Sequence, residues 1–408
     1  MRKPYALAVT AALACTCMFL PAAASASAAA PSATTAPGST VPDQDPFYAA
    51  PADIASYAPG SVVDSRPVPG VNLFGISVPV NAWQISYRTN DSHGQAELAV
   101  TTLVVPKTAW TGSGPRPVVS LQTPEDSVGT SCAPSYQIAT GKDVQDAALG
   151  AQLLAANWAV AVPDFEGPKS VFLAGPQAGH AVLDGIRAVK AFDTAGIGPA
   201  NPWALDGYSG GAEATGWAAQ LQPSYAPEVK LAGAAIGGLP SDPSSVASYI
   251  DGTAFAGFEF AAAYGLATEF PESGINGLLN SRGQQDFASI KGTCELNILP
   301  AYAFRKLNED TSVSDPLAVP SVAAVLRANT LGSAAPTTPV YDYHANTDEI
   351  VPVGQDNTAV SGWCAAGGTV EKVRDLLGEH AEEAAARAVS VEVFLANRFV
   401  NKPPNNSC

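Results

Sequence analysis

Gly207-Tyr208-Ser209-Gly210-Gly211 stands between the apolar run Trp203-Ala204-Leu205 and an Ala-rich segment of helical composition. At so tight a strand-to-helix turn the central serine takes a strained backbone conformation, and bulky side chains two positions either side would collide. Its hydroxyl is lifted clear of the sheet. The Gly210 backbone N–H and the positive end of the following helix then lie beside that hydroxyl, where negative charge develops during acyl transfer. In a chain with 36 glycines the bare pattern also arises by chance, so the rest of the chemistry has to be found elsewhere. A serine hydroxyl is a poor nucleophile until an imidazole accepts its proton, and the imidazolium so formed needs a carboxylate partner. The chain has four histidines, His93, His180, His344 and His380.

The elements that must position these groups alternate in type. Strand patterns run from Trp83 to Arg88 and from Ala96 to Val105, joined by a hairpin turn at Asn90-Asp91-Ser92-His93-Gly94, which is an antiparallel opening. Arg116 to Gln122 and Trp158 to Pro163 are short apolar runs suited to buried parallel strands. Helical spacing separates them at Asp143 to Asn157 and returns at His180 to Phe192, where Val182, Ile186 and Val189 share a face. Val229 to Ile236 and Val340 to Ala345 supply further strands, and Ala381 to Phe399 a final helix. Pro240 to about Leu326 breaks the rhythm: it is apolar, carries Phe255, Phe258, Phe260 and Tyr264 in close succession, and lacks a strand pattern. The expected fold is therefore α/β, a mostly parallel sheet wound on both faces with the α/β-hydrolase arrangement and an inserted, mainly helical cap. An ordinary helical subdomain packing its aromatics inward is the alternative for the insert. Tyr208 of the turn and Phe255, Phe258 and Phe260 of the insert are candidates to contact substrate.

Composition bounds the setting. Arg2 and Lys3 precede an apolar stretch from Ala6 to Leu20, then Pro21 and a small-residue run, the three-part layout of a secretory signal peptide over residues 1–28. The stretch is too short to span a bilayer, which takes roughly 20 apolar residues, and no later segment reaches that length. Residues 29–42 read as a flexible leader, 43–239 and 327–408 as the two parts of the hydrolase core, and 240–326 as the inserted cap. The formal charge of −16 becomes −18 once Arg2 and Lys3 are removed, and without clustered Lys or Arg a nucleic-acid partner is disfavoured. An anionic membrane would be repelled too, whereas a neutral lipid droplet would not. A secreted monomer is expected, with no cofactor. Of the six cysteines, Cys15 and Cys17 leave with the signal; Cys132, Cys294, Cys364 and Cys408 remain. Three pairings are possible, and we favour Cys132 with Cys294 and Cys364 with Cys408, the latter fastening the tail. No C-x-x-C pair exists, so zinc and other metals are not expected.

In an α/β-hydrolase the chain order is serine, acid, histidine, which excludes His93 and His180 as base. Were His344 the base, no sensible acid would fit that order. His380, after Gly378-Glu379 at the start of the last helix, remains. Asp348, just beyond the carboxyl end of the 340–345 strand, is the candidate acid; Glu349 is its competitor and Asp342, inside the strand, a weaker one. His344 reads as a buried histidine that orients the acid loop. A second oxyanion donor besides Gly210 belongs in Gln122-Thr123-Pro124-Glu125-Asp126-Ser127, where Asp126 could donate through its backbone N–H, or through a protonated side chain. A turn-capping aspartate is the alternative.

The Gly207 to Gly211 turn with Trp217-Ala218-Ala219 and Ser224-Tyr225-Ala226-Pro227-Glu228 resembles the secretory lipase family. So do Ala82-Trp83-Gln84, Cys132-Ala133-Pro134-Ser135-Tyr136, Pro163-Asp164-Phe165-Glu166-Gly167-Pro168, His344 to Pro352 and Glu379-His380. The resemblance implies Ser209 as nucleophile, Asp348 as acid, His380 as base, Asp126 and Gly210 in the oxyanion hole, both disulfides, and a cap over an acyl-binding tunnel. The insert from Pro240 onward is its least similar part. The expected activity is a lipase acting on lipid esters, with an oil-water interface as the place of contact. Short soluble esters, a peptidase on the same scaffold and a non-catalytic binding protein are the alternatives.

Overall fold

The computed structural model describes residues 40–73, 75–142 and 147–408. The expected signal segment 1–28 and all but the last three residues of the expected leader 29–42 lie outside the described residues. The strands are β1 (Val62–Val68), β2 (Asn72–Leu73), β3 (Ile76–Ser77), β4 (Val80–Asn90), β5 (Ala96–Pro106), β6 (Val118–Gln122), β7 (Ala159–Pro163), β8 (Trp203–Tyr208), β9 (Leu231–Gly237), β10 (Val340–Ala345) and β11 (Val370–Asp375). β2 and β3 form a small ribbon, and the other nine form one sheet in the order β1-β4-β5-β7-β6-β8-β9-β10-β11. Pairings from β1 to β7 are antiparallel; all later ones are parallel.

The helices are α1 (Pro134–Thr140), α2 (Ala147–Ala155), α3 (Gly175–Phe192), α4 (Gly210–Tyr225), α5 (Pro243–Ile250), α6 (Ala256–Glu269), α7 (Ile275–Leu278), α8 (Ser281–Ile290), α9 (Glu295–Tyr302), α10 (Pro320–Ala328), α11 (Val353–Ala365) and α12 (His380–Phe399). Val182, Ile186 and Val189 of α3 pack with Ala214 and Trp217 of α4 and Trp363 of α11 on one side of the sheet, together with Ile85, Leu103 and Leu205. Val391, Phe394 and Leu395 of α12 cover the other side with Leu153 of α2, against Leu121, Val160 and Tyr343. Each such side chain, fully buried, contributes roughly 1.5–3 kcal/mol. Two covered faces explain why β6, β7 and β8 are buried along their whole length rather than at alternate positions.

Several elements differ from the sequence reading at their ends, each for a local reason. The Arg116 strand begins at Val118, because Pro117 has no N–H to donate; Val118 N–H bonds Pro202 O instead. α3 begins five residues before His180, where Pro176 provides the preset first turn. Neither sheet edge shows a strand pattern in the sequence. β1 carries Pro67 and is half exposed, and β11 keeps only Val370 fully buried, so neither shows an apolar run.

Helices α5 to α10 hold their own apolar interior. Phe260, Ala261, Phe287, Ile298 and Tyr302 pack with Phe172 and Leu173, and Leu266, Phe270, Val322 and Leu326 with Val171 and Ala174. The segment Val171 to Ala174, between β7 and α3, is thus the seat on which these helices rest.

Candidate active site

Ser209 ends β8 and precedes α4 with φ 55° and ψ −126°, a conformation costing about 1–3 kcal/mol that persists only where its surroundings over-determine it. The neighbours explain the glycines. A Cβ on Gly207 would come within 2.3 Å of Gly211 O, and one on Gly211 within 2.0 Å of Gln122 O. Gly210 has Asp126 Oδ1 where its own Cβ would point, at 1.8 Å. Ser209 N–H donates to Gly237 O at 2.9 Å, anchoring the turn to β9.

His380, the first residue of α12, presents Nε2 to Ser209 Oγ at 2.8 Å and Nδ1 to Asp348 Oδ2 at 2.6 Å. Its backbone is held as well: His380 N–H donates to Glu349 Oε2 at 3.0 Å, and Tyr208 O–H donates to His380 O at 2.5 Å. Glu349 therefore meets the histidine's main chain and Asp348 its ring. Asp348 Oδ1 accepts the Ile350 and Val351 N–H groups at 2.9 and 2.7 Å, so the loop after β10 fixes the carboxylate before the histidine reaches it.

His344 lies beneath the acid, fully buried. Its Nε2 is 3.1 Å from Asp348 Oδ2 and 2.9 Å from Val351 O, and its Nδ1 is 2.9 Å from Asp356 Oδ2. Burial opposes charge on this ring, but the flanking Asp348 and Asp356 outweigh it and push its pKa up to about 10. His344 is thus an imidazolium across the neutral range. Burial would raise the Asp348 pKa, yet the hydrogen bonds from His344 and His380 hold it well below the usual carboxylate range. Arg374 of β11 closes the cluster, reaching Asp356 at 2.9 Å and Asp342 at 2.5 Å. Asp342, the weaker candidate acid, is consumed in this buried pair.

With Asp348 ionised, Nδ1 of His380 keeps its proton and Nε2 is left to accept one from Ser209. Such a run can generate a serine nucleophile. The loop after β6 stands beside the Ser209 turn. Asp126 there is buried with φ 43°, and Ser127 N–H bonds Glu166 Oε1 at 3.3 Å. Asp126, Ser209 and Gly210 line one cavity together. A second cavity of about 470 Å³ is bounded by Asp126, Tyr208, Ser209, Phe258, Leu299 and His380, with Ala381, Ala384, Ala385 and Ala388 of α12 on its far side.

Of the four candidate substrate contacts, Tyr208 and Phe258 line this space, and Phe255 and Phe260 lie outside its lining. Phe260 turns inward, stacked on Tyr302 at 4.8 Å beneath the Arg305 guanidinium. Phe255 packs with Val246, Ile250 and Val351. On α6, Phe258 and Phe260 are two positions apart and so face apart; composition alone could not separate them. Sequence reasoning missed Asp356 and Arg374. The polar residues of α11 carry no apolar signal, and Arg374 sits on the unrecognised edge strand.

Cys132 is bonded to Cys294 and Cys364 to Cys408. Among the described residues one trio, Asp91, His93 and Glu269, gathers metal-type ligand atoms within 4.8 Å. It belongs to the β4–β5 turn and the end of α6, where Asp91 and Glu269 accept backbone N–H groups and His93 meets Glu272.

A family model described as Secretory lipase matches residues 135–407. Lipase 5 of Candida albicans is 35% identical over 392 residues, covering 90% of this chain and 83% of that one. A secreted triacylglycerol lipase of Malassezia furfur is 33% identical over 384 residues, covering 90% and 81%. The crystal structure of Candida antarctica lipase A in its closed state superposes with a TM-score of 0.84 at 32% identity, covering 91% of this chain and 89% of the other.

Proposed function

The chain belongs to the secretory lipase family, and we propose that it hydrolyses lipid esters, triacylglycerols among them, outside the cell through an acyl-enzyme on Ser209. Family and fold make it an ester hydrolase of the α/β-hydrolase type. The observation that carries the mechanism is the continuous hydrogen-bonded run Asp348–His380–Ser209.

In this reading His380 Nε2 takes the Ser209 proton as Oγ attacks the ester carbonyl, while Asp348 stabilises the imidazolium that forms. The carbonyl oxygen, now anionic, is met by the Gly210 N–H at the start of α4 and by Asp126 across from it. His380 then passes its proton to the departing alcohol. Water, activated by the same imidazole, releases the acid. The chain's own residues supply every proton transfer.

Three observations support a lipid as the ester. The cavity shared by Asp126, Ser209 and Gly210 has walls that are apolar apart from the reacting groups and Glu259. Leu376 and Leu377, just before His380, are 82% and 80% exposed, as suits contact with an apolar surface. Helices α5 to α10 form the proposed cap over the site. Secretion accords with the expected signal at 1–28 and with two disulfides in an oxidising compartment. No helix among the described residues is long and apolar enough to cross a membrane.

A fluorophosphonate probe should label the wild-type protein on the peptide containing Ser209 and leave Ser209→Ala unlabelled. The wild type should also hydrolyse emulsified long-chain triacylglycerol. Turnover of p-nitrophenyl acetate with none of the emulsion would reduce the activity to that of a short-ester esterase.

A further inference from the structure

The cavity beside Ser209 does not end there. It is bounded by Pro243, Ala247, Glu259 and Ala262 on the side facing the helical insert, and the same four residues bound a deeper cavity inside the insert. The two spaces share a wall made by α5 and α6. Beyond it the walls are apolar, with Leu266, Phe287 and Leu326 among them and Thr311 as the other polar residue. A carboxyl group in the wall common to two such apolar spaces is chemically out of place.

Glu259 is 4% exposed, and its Oε2 has no hydrogen-bond partner among the described residues. Burial, then the charge of the neighbouring Asp251 and a side-chain hydrogen bond shared with it, push its pKa up to about 9, and Oε2 is the atom left without a partner. It is then a neutral carboxylic acid across the neutral range, one O–H donor with acceptor capacity beside it. A buried polar atom without a partner is costly. An alkyl chain threaded past it would leave that cost in place. A chain bearing a hydroxyl at the right depth would remove it.

Resting on Ser209 as the nucleophile, we propose that the acyl chain lies along this wall and that Glu259 hydrogen-bonds a hydroxyl carried on the chain, making hydroxy-acyl esters preferred substrates. The preference depends on depth. Oxygen too near the carbonyl or too far along the chain lies away from the carboxyl and gains nothing, so selectivity peaks at one position. A site that hydrogen-bonds a substrate hydroxyl discriminates against the analogue lacking it, whereas a purely apolar wall barely does.

The test is a series of methyl dodecanoates with one hydroxyl walked along the chain, compared with methyl dodecanoate itself. The expected result is a single favoured position whose kcat/KM exceeds the unsubstituted ester by about tenfold. Glu259→Gln, which still donates and accepts, keeps the peak. Glu259→Leu removes it, each variant being normalised to its own rate on methyl dodecanoate. The proposal is overturned if no hydroxyl position outruns the parent ester in the wild type, or if the peak survives in Glu259→Leu. Should the leucine variant fail to fold, the wild-type series still decides. If methyl dodecanoate is turned over and Ser209→Ala abolishes that, a flat series removes only the role of Glu259. If Ser209→Ala stays active, the nucleophile assignment fails and this inference falls with it.

Discussion

Replacing His344 with glutamine separates the charge beneath the acid from its shape. In the wild type the imidazolium bonds Asp348 at 3.1 Å and Asp356 at 2.9 Å, with both partners fully buried. A neutral amide reaches at most one of them as donor and carries no charge. A histidine raised from 6.5 to about 10 in the folded state contributes on the order of 4–5 kcal/mol of stability, fully present below pH 6.5 and lost as pH rises through about 10. That figure agrees with the roughly 3–5 kcal/mol measured when one partner of a buried ion pair is removed. The variant should therefore be less stable by several kcal/mol at pH 6 in urea unfolding, and about 3 kcal/mol of that deficit should vanish by pH 9 as the wild type approaches its own deprotonation. Activity should fall as well, mainly in kcat, because Asp348 loses a second anchor and a displacement near 1 Å costs about 100-fold. A stability deficit that is constant from pH 6 to pH 9 would refute the imidazolium. Unchanged kcat in a folded His344→Gln protein would refute its role in positioning the acid.

Other perturbations probe the remaining parts of the site. Ser209→Ala should lower ester turnover by roughly four to six orders of magnitude in a steady-state assay while leaving the fold intact. Gly211→Ala places a methyl group 2.0 Å from the Gln122 carbonyl, so it should cost at least about 1–3 kcal/mol and lower the melting temperature. Asp126→Ala, which removes every side-chain donor, should retain kcat if the backbone N–H is the oxyanion donor, whereas a fall of about 100-fold or more would assign the donor role to a protonated side chain. Cys408→Ser should cost about 4 kcal/mol by loop entropy and raise hydrogen exchange in β11, whose edge the tail covers through Ser407 N–H to Val370 O at 2.7 Å and Val370 N–H to Asn406 Oδ1 at 3.2 Å.

What could be read from sequence is what local chemistry dictates. The turn around Ser209 announces itself because Gly207 and Gly211 are sterically required. The buried strands β6, β7 and β8 show because both faces of the sheet are covered. Asp348 and His380 could be selected because chain order removes the competing histidines. The residues that support them gave no such signal. Asp356 sits on α11, whose exposed positions are Gly354, Thr358, Ser361 and Ala365, and Arg374 lies on an edge strand whose partner Asp342 is 32 residues earlier. Glu259 stands between two phenylalanines in the sequence, and only the packing of the insert buries it. Long-range ion pairs and cavity walls depend on which elements meet, and spacing along one element does not encode that.

The same long-range contacts constrain how substrate can reach Ser209. On the oxyanion side the insert is fastened at the start of α9: Cys294 is bonded to Cys132, Val128 exchanges backbone hydrogen bonds with Gly292 and Thr293, and Glu295 N–H donates to Ser127 Oγ at 3.0 Å. On the acid side Tyr249 O–H of α5 donates to Asp348 O at 3.2 Å, and Gln355 Oε1 accepts the Ser241 and Asp242 N–H groups at 2.6 and 2.9 Å. Helices α5 to α10 are thus tied at both ends of the site, so lifting them away as one body would break a covalent bond or strip hydrogen bonds from the acid loop. The roughly 470 Å³ cavity offers another path, since it is bounded by Leu299 on one side and by four alanines of α12 on the other. Small side chains there leave space without any helix having to move. The exposed Leu376 and Leu377 precede that same helix, so an apolar surface meeting them would stand at the end of α12 that carries His380, and an ester could enter along the alanine face while the insert stays fastened.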